Sequence, residues 1–335
     1  MKNILFILLT LLCYLSGAAQ KIHSPQEIVS ILENSSIAYE LNMLEEEIPA
    51  PDRSGNVILH DFYREMRNGE LFTISYKISS KGVPLLEAAE KAFGQGDFVQ
   101  ARSFYEQVLQ TDPDFHKVRT YIGQTYGIEG DFKKAIKWYQ GAIEKNYIDY
   151  MAHWFLADAY LKNRKIDNAV DHITIAYILN RNNPRIRTSL DNIYKEKGLS
   201  QDDWHFNPQM KIDSTSEQSV AIQFHPDWLG YALVKALWRY EPGYAASQGQ
   251  VKDEFFSMFQ EREALAALIT SIDEEKIKYY PELDALMTAL KMDMTEEYII
   301  FEILLPQYPD VANQLPEEVI SRVLTYVLKV RGKAK

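Results

Sequence analysis

The sequence predicts a mainly α-helical protein: a solenoid of stacked helix pairs, with a small α+β region before it and a helical domain after it. Three observations carry this expectation. A pattern of residues recurs at a fixed offset of 34, the mark of a repeat architecture. The 335 residues include only 15 Gly and 13 Pro against 46% hydrophobic residues, a balance that favours helices and excludes a disordered chain. Apolar residues at helical spacing are bracketed by capping residues and prolines, as at Ser24-Pro25, Asn183-Pro184, Pro281 and Pro316. At this length two or three domains fit.

The repeat is read from several columns in one register. Gly96-Asp97-Phe98 returns as Gly130-Asp131-Phe132, and Pro113 closes the first unit. Ala89, Gly123 and Ala157 form a column of small residues, as do Ala101, Ala135 and Ala169. Larger side chains form the columns Tyr105, Tyr139, Ile173 and Ala92, Tyr126, Tyr160, with Val108, Ala142 and Ala176 beside them. Two antiparallel helices approach closely only where side chains are small, so the small columns mark where the helices of one unit meet. The large columns fill the space between units, and Gly-Asp-Phe supplies the tight turn that ends one helix and starts the next. In the third unit that turn reads Arg164-Lys165-Ile166 instead. A further helix begins at Pro184, capped by Asn183 and stopped at Gly198. It carries Ile186, Leu190 and Ile193 on one face and suits the end of a solenoid, where an outer polar face is needed.

These residues closely resemble the tetratricopeptide repeat, a helix–turn–helix unit of 34 residues that stacks into a superhelix. The resemblance covers residues 82 to 183, with the capping helix extending the region to 198. It implies that the first helix of each unit lines a concave face. The matching column here is Glu90, Gln124, Asp158 and Asn192. One turn earlier lie Leu86, Thr120, Trp154 and Thr188, which share that face because residues four apart overlap on a helix. A polar column buried in a core would be costly, so these residues are expected to face a cavity or a partner. A merely solvated concave surface would give the same pattern; Trp154 favours binding, since exposed tryptophan is enriched at binding hot spots. The best-known peptide-binding members of the family hold a C-terminal carboxylate with lysine and asparagine. Glu90 and Asp158 depart from that, which points to a neutral or basic segment as the ligand.

The chain begins with Lys2, an apolar run from Ile4 to Leu15 and the small residues Ser16-Gly17-Ala18-Ala19, the order of a secretory signal peptide. The run is shorter than the roughly 20 residues that span a bilayer. Cleavage is expected after Ala19, giving an exported protein of the periplasm or the cell exterior. Cys13 is the only cysteine and lies inside this segment, preceded by Leu12 where a lipoprotein signal needs a small residue. The mature chain therefore has no disulfide, cysteine nucleophile or thiolate metal site.

The flanks read differently from the repeats. In residues 20–81, Ser24-Pro25-Gln26-Glu27 is a capping box ahead of Ile28, Ile31 and Leu32. Ile37, Tyr39 and Leu41 alternate as a strand does, as do Phe72, Ile74, Tyr76 and Ile78. Asn68-Gly69 fits a two-residue hairpin turn, although Leu59 to Met66 also suits a helix. Residues 199–226 form a linker with two alternating runs, before Asp213 and after Ser219, compatible with a hairpin. Residues 227–335 read as a separate helical domain, or as irregular helical pairs that continue the stack, with Asp227 as the cap of the first helix.

Chemistry is sparse. The formal charge is −11, and an acidic surface repels the phosphate backbone of nucleic acids. None of the seven histidines has a metal-ligand spacing; His153 and His172 are too far apart to share one helix face. There is no phosphate-binding glycine loop and no Gly-x-Ser-x-Gly elbow. Asp203-Trp204-His205 and His225-Pro226-Asp227 place an imidazole near a carboxylate, but capping and surface polarity explain both at less cost. No catalytic residue, metal or cofactor is therefore assigned. The leading expectation is a non-enzymatic scaffold or adaptor that binds a protein segment through the concave groove. The alternatives are an enzyme with its site in residues 204–330 and a structural subunit of a cell-envelope complex.

Overall fold

The structure, a computed structural model, describes residues 20–59, 61–250 and 256–334, so the leader at 1–19 and its processing site lie outside the described residues. In chain order the elements are α1 (Pro25–Glu33), β1 (Ala38–Met43), β2 (Phe62–Arg67) and β3 (Glu70–Ser75). The repeat helices follow as α2 (Gly82–Gly94), α3 (Phe98–Thr111), α4 (Lys117–Ile128), α5 (Phe132–Lys145), α6 (Tyr150–Lys162), α7 (Ile166–Leu179) and α8 (Pro184–Lys197). Next come β4 (Leu199–Gln201), β5 (Met210–Ser216), β6 (Ser219–Phe224), α9 (Leu229–Tyr240), α10 (Met258–Ser271) and α11 (Pro281–Lys291). After a run of short helical turns, α12 (Glu317–Tyr326) and β7 (Gly332–Ala334) close the chain.

These elements pack as two compact units that interleave along the sequence. One joins the residues up to Asp52 to Asp203–Ile303; the other joins Arg53–Asp202 to the chain from Leu304 onward. The linear division drawn from the sequence does not follow these units. The region 20–81 splits at residue 52, and the C-terminal domain expected at 227–335 splits after Ile303. Long-range pairing is the reason in both cases.

In the repeat unit, the helices pack as the pairs α2–α3, α4–α5 and α6–α7, with α8 against α7. Ala89, Ala157, Ala101, Ala135 and Ala169 are fully buried. A Cβ added to Gly123 would stand 2.6 Å from the Tyr139 ring, so only glycine fits that crossing. Asp97 and Asp131 each cap the following helix through their side chains. The turns before them use left-handed residues: Gly96 at φ 78°, Gly130 at φ 81° and, in the same column, Arg164 at φ 59°. A side chain in that region is strained by about 1–2 kcal/mol, so the third turn keeps the geometry of the others at a cost. Asn183 caps α8 and Gly198 ends it in the left-handed conformation, as expected. The end of the stack is then covered from within the chain. β4 pairs antiparallel with β7, and α12 packs on α7. Asn68 (φ 53°) and Gly69 (φ 84°) form the hairpin turn between β2 and β3, which pair from Phe62↔Ser75 to Arg67↔Glu70; the helical reading of residues 59–66 does not hold.

The other unit is built on a three-stranded sheet in the order β1-β6-β5, with β1 parallel to β6 and β5 antiparallel to it. Its core centres on the buried Trp228, which meets Phe206, Tyr231 and Tyr280 edge to face. The Ser24/Glu27 capping box forms at the start of α1. Glu263, fully buried, accepts hydrogen bonds from the His23 amide (3.0 Å), the Trp238 indole (2.6 Å) and the Tyr244 hydroxyl (2.9 Å), which fastens the N-terminal arm to α10.

Candidate functional site: the repeat groove

The eight residues expected on the concave face fall into two groups. Glu90, Thr188 and Asn192 are exposed, and Leu86, Gln124, Trp154 and Asp158 are half-buried. Thr120 is the exception. It is fully buried, and its hydroxyl donates to Asp149 Oδ2 at 2.7 Å, so it lines no open groove. Glu90 accepts a hydrogen bond from the Tyr105 hydroxyl at 2.6 Å. Trp154 is not free-standing either: its indole donates to Ser189 Oγ at 2.9 Å and its ring stacks on Phe155 at 5.6 Å. Part of what made Trp154 a binding candidate is thus spent inside the fold. Gln124, Asp158 and Asn192, on α4, α6 and α8, make no side-chain hydrogen bond or ion pair among the described residues. Burial pushes the Asp158 carboxyl up to about 6, against the pull of Lys162 one turn on.

Beside this open column lies a closed one. Lys117, at the start of α4, is 1% exposed, and its ammonium meets Asp149 Oδ1 and Asp61 Oδ1, each at 2.8 Å. Burial opposes its charge, but the carboxylates of Asp149 and Asp61 outweigh that and hold the lysine protonated above its usual range. Asp149 serves three groups: it pairs with Lys117, accepts from Thr120, and caps α6 through the Ala152 amide at 3.0 Å; burial resists its ionisation, and these donors overcome it and lower its pKa. Removing one partner from such a buried pair costs about 3–5 kcal/mol, because the other charge is left unpaired.

Asp61 belongs to a segment, residues 56–59 and 61–79, that runs along the edge of the stack where one repeat passes to the next. Another 34-residue column holds it there. Asp112, Asn146 and Asn180 end the second helices α3, α5 and α7. Asp112 accepts from the Ser79 amide at 2.7 Å and from its hydroxyl at 3.0 Å. The Asn146 amide donates to the Phe62 carbonyl at 2.7 Å. Asn180 makes a reciprocal pair with the Ile58 backbone, both bonds at 3.1 Å. The sequence reading missed this column, although its register carries the signal: short polar side chains at one offset, each just past a helix end, where they are free to reach a neighbouring backbone.

The histidine pair was also out of sight in the sequence. His153 and His172 do not share a helix; they face each other across α6 and α7, with their Nδ1 atoms 2.9 Å apart. The Tyr147 carbonyl can only accept, so His153 Nε2 donates to it, and a neutral His153 then accepts from His172 through Nδ1. Burial lowers His153 to about 3, helped by His172, and lowers His172 to about 4. The pair is neutral at pH 7 and satisfied. Among the described residues no group of three or more His, Cys, Asp or Glu side chains could hold a metal ion. Asp227 does not cap α9: His225 caps the short turn Pro226–Trp228, and Asp227 accepts from Lys276 Nζ at 2.7 Å and the Tyr280 hydroxyl at 2.8 Å.

Comparison with known proteins agrees with the helix pairs. The Tetratricopeptide repeat family model matches residues 86–147 and 129–184. The fold is mainly helical, with helix pairs like those of the tetratricopeptide repeat as its organising feature. A curated relative, the anaphase-promoting complex subunit CDC16 of Saccharomyces cerevisiae, is 26% identical over 129 residues, covering 36% of this chain. The match spans only 15% of that relative's length. Among solved structures, the first TPR of Spaghetti (RPAP3) bound to an HSP90 peptide is 21% identical and covers 36% of this chain and 96% of its own, with a TM-score of 0.34. The Yersinia enterocolitica type III secretion chaperone SycD, in complex with a peptide of the translocator YopD, is 18% identical over 36% of this chain and 99% of its own, with a TM-score of 0.33.

Proposed function

We propose that this chain is an exported, non-enzymatic scaffold or adaptor that grips a segment of another protein on the concave face of its repeats. One observation carries the reading. Gln124, Asp158 and Asn192 form a polar column on three successive first helices, and none has a side-chain partner among the described residues. The neighbouring Lys117, Thr120 and Asp149 are, by contrast, fully engaged within the fold. Polar groups held on a rigid scaffold with their hydrogen bonds unspent are what a binding surface presents. The family's general role in protein interaction and the order of residues 2–19 support the adaptor and export parts of the reading.

The test is capture of partners by the exported protein with in-cell crosslinking, comparing wild type with Gln124→Ala combined with Asn192→Ala. Both residues lie outside the hydrogen-bond network, so the double variant keeps its melting temperature and loses crosslinked partner. Undiminished capture by a folded double variant overturns the groove as the working surface. Intact mass of the exported protein checks the other half of the reading: it begins at Gln20, and retention of residues 1–19 or a lipid on Cys13 contradicts it.

A further inference from the structure

Asp158 is the carboxylate of the repeats that is drawn partly out of water with no donor beside it among the described residues. Glu90 accepts from Tyr105, Asp149 from Lys117 and Thr120, Asp112 from Ser79, and Asp131 from the Lys134 amide and ammonium. Asp158 is half-buried and accepts nothing among the described residues. An ionised carboxylate taken out of water without a donor is unfavourable, so such a group in a folded protein calls for a missing partner. The cations among the described residues do not supply one. Lys162, one turn on, acts on Asp158 only through its charge, with no hydrogen bond, and Lys117 is consumed by Asp149 and Asp61. One turn before Asp158 on the same face, Trp154 is fixed by its bond to Ser189 and its stack on Phe155. A carboxylate and a rigid indole four residues apart on one helix face form a two-point receptor for a flat cation: ion pairing at one end and the ring at the other.

Resting on the groove reading above, we infer that the segment bound by this protein places an arginine side chain on α6, its guanidinium paired with Asp158 and lying against Trp154. Arginine suits the position better than lysine because its planar fork can meet the carboxylate with two hydrogen bonds while its face covers the indole. Gln124 and Asn192, on the helices to either side, then serve the backbone of the same segment, for which an amide that both donates and accepts is the fitting chemistry.

Selection of binders from a random dodecapeptide library on the protein from Gln20 onward tests this. The groove reading requires peptides whose binding is lost with Gln124→Ala/Asn192→Ala. The arginine inference requires more: those peptides share one basic position, replacing it by citrulline weakens binding at least tenfold, and Asp158→Asn weakens the parent peptide by a similar factor while leaving the citrulline peptide unaffected. The charge reversal Asp158→Lys should select an acidic residue at that position, which a purely structural role for Asp158 would not produce. Groove-dependent peptides with no shared basic position, or equal binding to Asp158→Asn, overturn the arginine anchor and leave the groove standing. A library that yields no groove-dependent peptide removes both.

Discussion

Two polar columns run through the same repeats at the same 34-residue spacing, and they have opposite fates. The second-helix ends, Asp112, Asn146 and Asn180, are closed on the chain's own backbone at Ser79, Phe62 and Ile58. The first-helix column Gln124, Asp158 and Asn192 is closed on nothing among the described residues. Periodicity reports only that a position recurs on one face of a stack. Whether that face belongs to the fold or is left for a partner depends on chain that lies far away in sequence. The difference teaches that a repeat groove can be assigned only after the protein's own segments have been laid on it: here residues 56–59 and 61–79 claim the second-helix ends and leave the first-helix column open.

The largest effect expected from breaking this contrast is at the closed edge. Lys117→Met leaves Asp149 ionised and buried with its counter-charge gone, and should cost about 3–5 kcal/mol. Urea unfolding of the purified protein measures it; a loss below 1 kcal/mol would mean that Asp61 and Asp149 are reached by water. Next is the helix crossing. Ala135 is 0% exposed, so Ala135→Leu should cost roughly 1–3 kcal/mol by overpacking, while Lys137→Leu on the exposed face should change little. Equal melting temperatures for the two would break the assigned register.

A smaller effect sharpens the comparison through pH. His153 and His172 are held at about 3 and about 4 in the fold, while an unfolded histidine titrates near 6.5. Below about 6.5 the unfolded chain takes up protons that the folded pair refuses, so stability falls with falling pH, by up to roughly 1.4 kcal/mol per pH unit for each such proton. Asp158 works in the opposite sense. Raised to about 6, it is protonated in the fold before it is in the unfolded chain, so its contribution improves as pH falls from about 6 towards 4. The histidines outnumber it. Stability should therefore decline between pH 6.5 and 4, less steeply in His172→Gln and more steeply in Asp158→Asn. Parallel curves for all three proteins would contradict the assigned burial. The smallest change is a gain: Arg164→Gly relieves a side chain at φ 59° and should raise stability by up to about 1 kcal/mol in thermal melts.

What could be read from the sequence was local or periodic. The Ser24/Glu27 capping box, the Asn68-Gly69 turn, Asn183 and Gly198 around α8, and the buried alanine columns all act within a turn or at a fixed offset, and each appears where the residues placed it. Pairings across long stretches of chain were not legible. Nothing in Ala38–Met43 names Ser219–Phe224 as its parallel partner, and nothing in Gly332–Ala334 names Leu199–Gln201. Thr120 was misplaced for the same reason. Its helix position is that of a groove residue, but Asp149, from the loop before α6, reaches it first. Trp154 was read as open because Ser189, 35 residues away, leaves no trace in the local pattern. Asp227 was taken for a cap, although His225 fills that role and Asp227 binds Lys276 and Tyr280 instead.

The central claim, that one column serves the fold and the other a partner, is tested most directly by site-specific photocrosslinking in cells. A photoreactive amino acid placed at position 124 or 192 should give a covalent adduct with another protein, whereas the same group at position 146 should crosslink only within the chain, to residues around Phe62. Intermolecular adducts from position 146 but none from 124 or 192 would contradict the account.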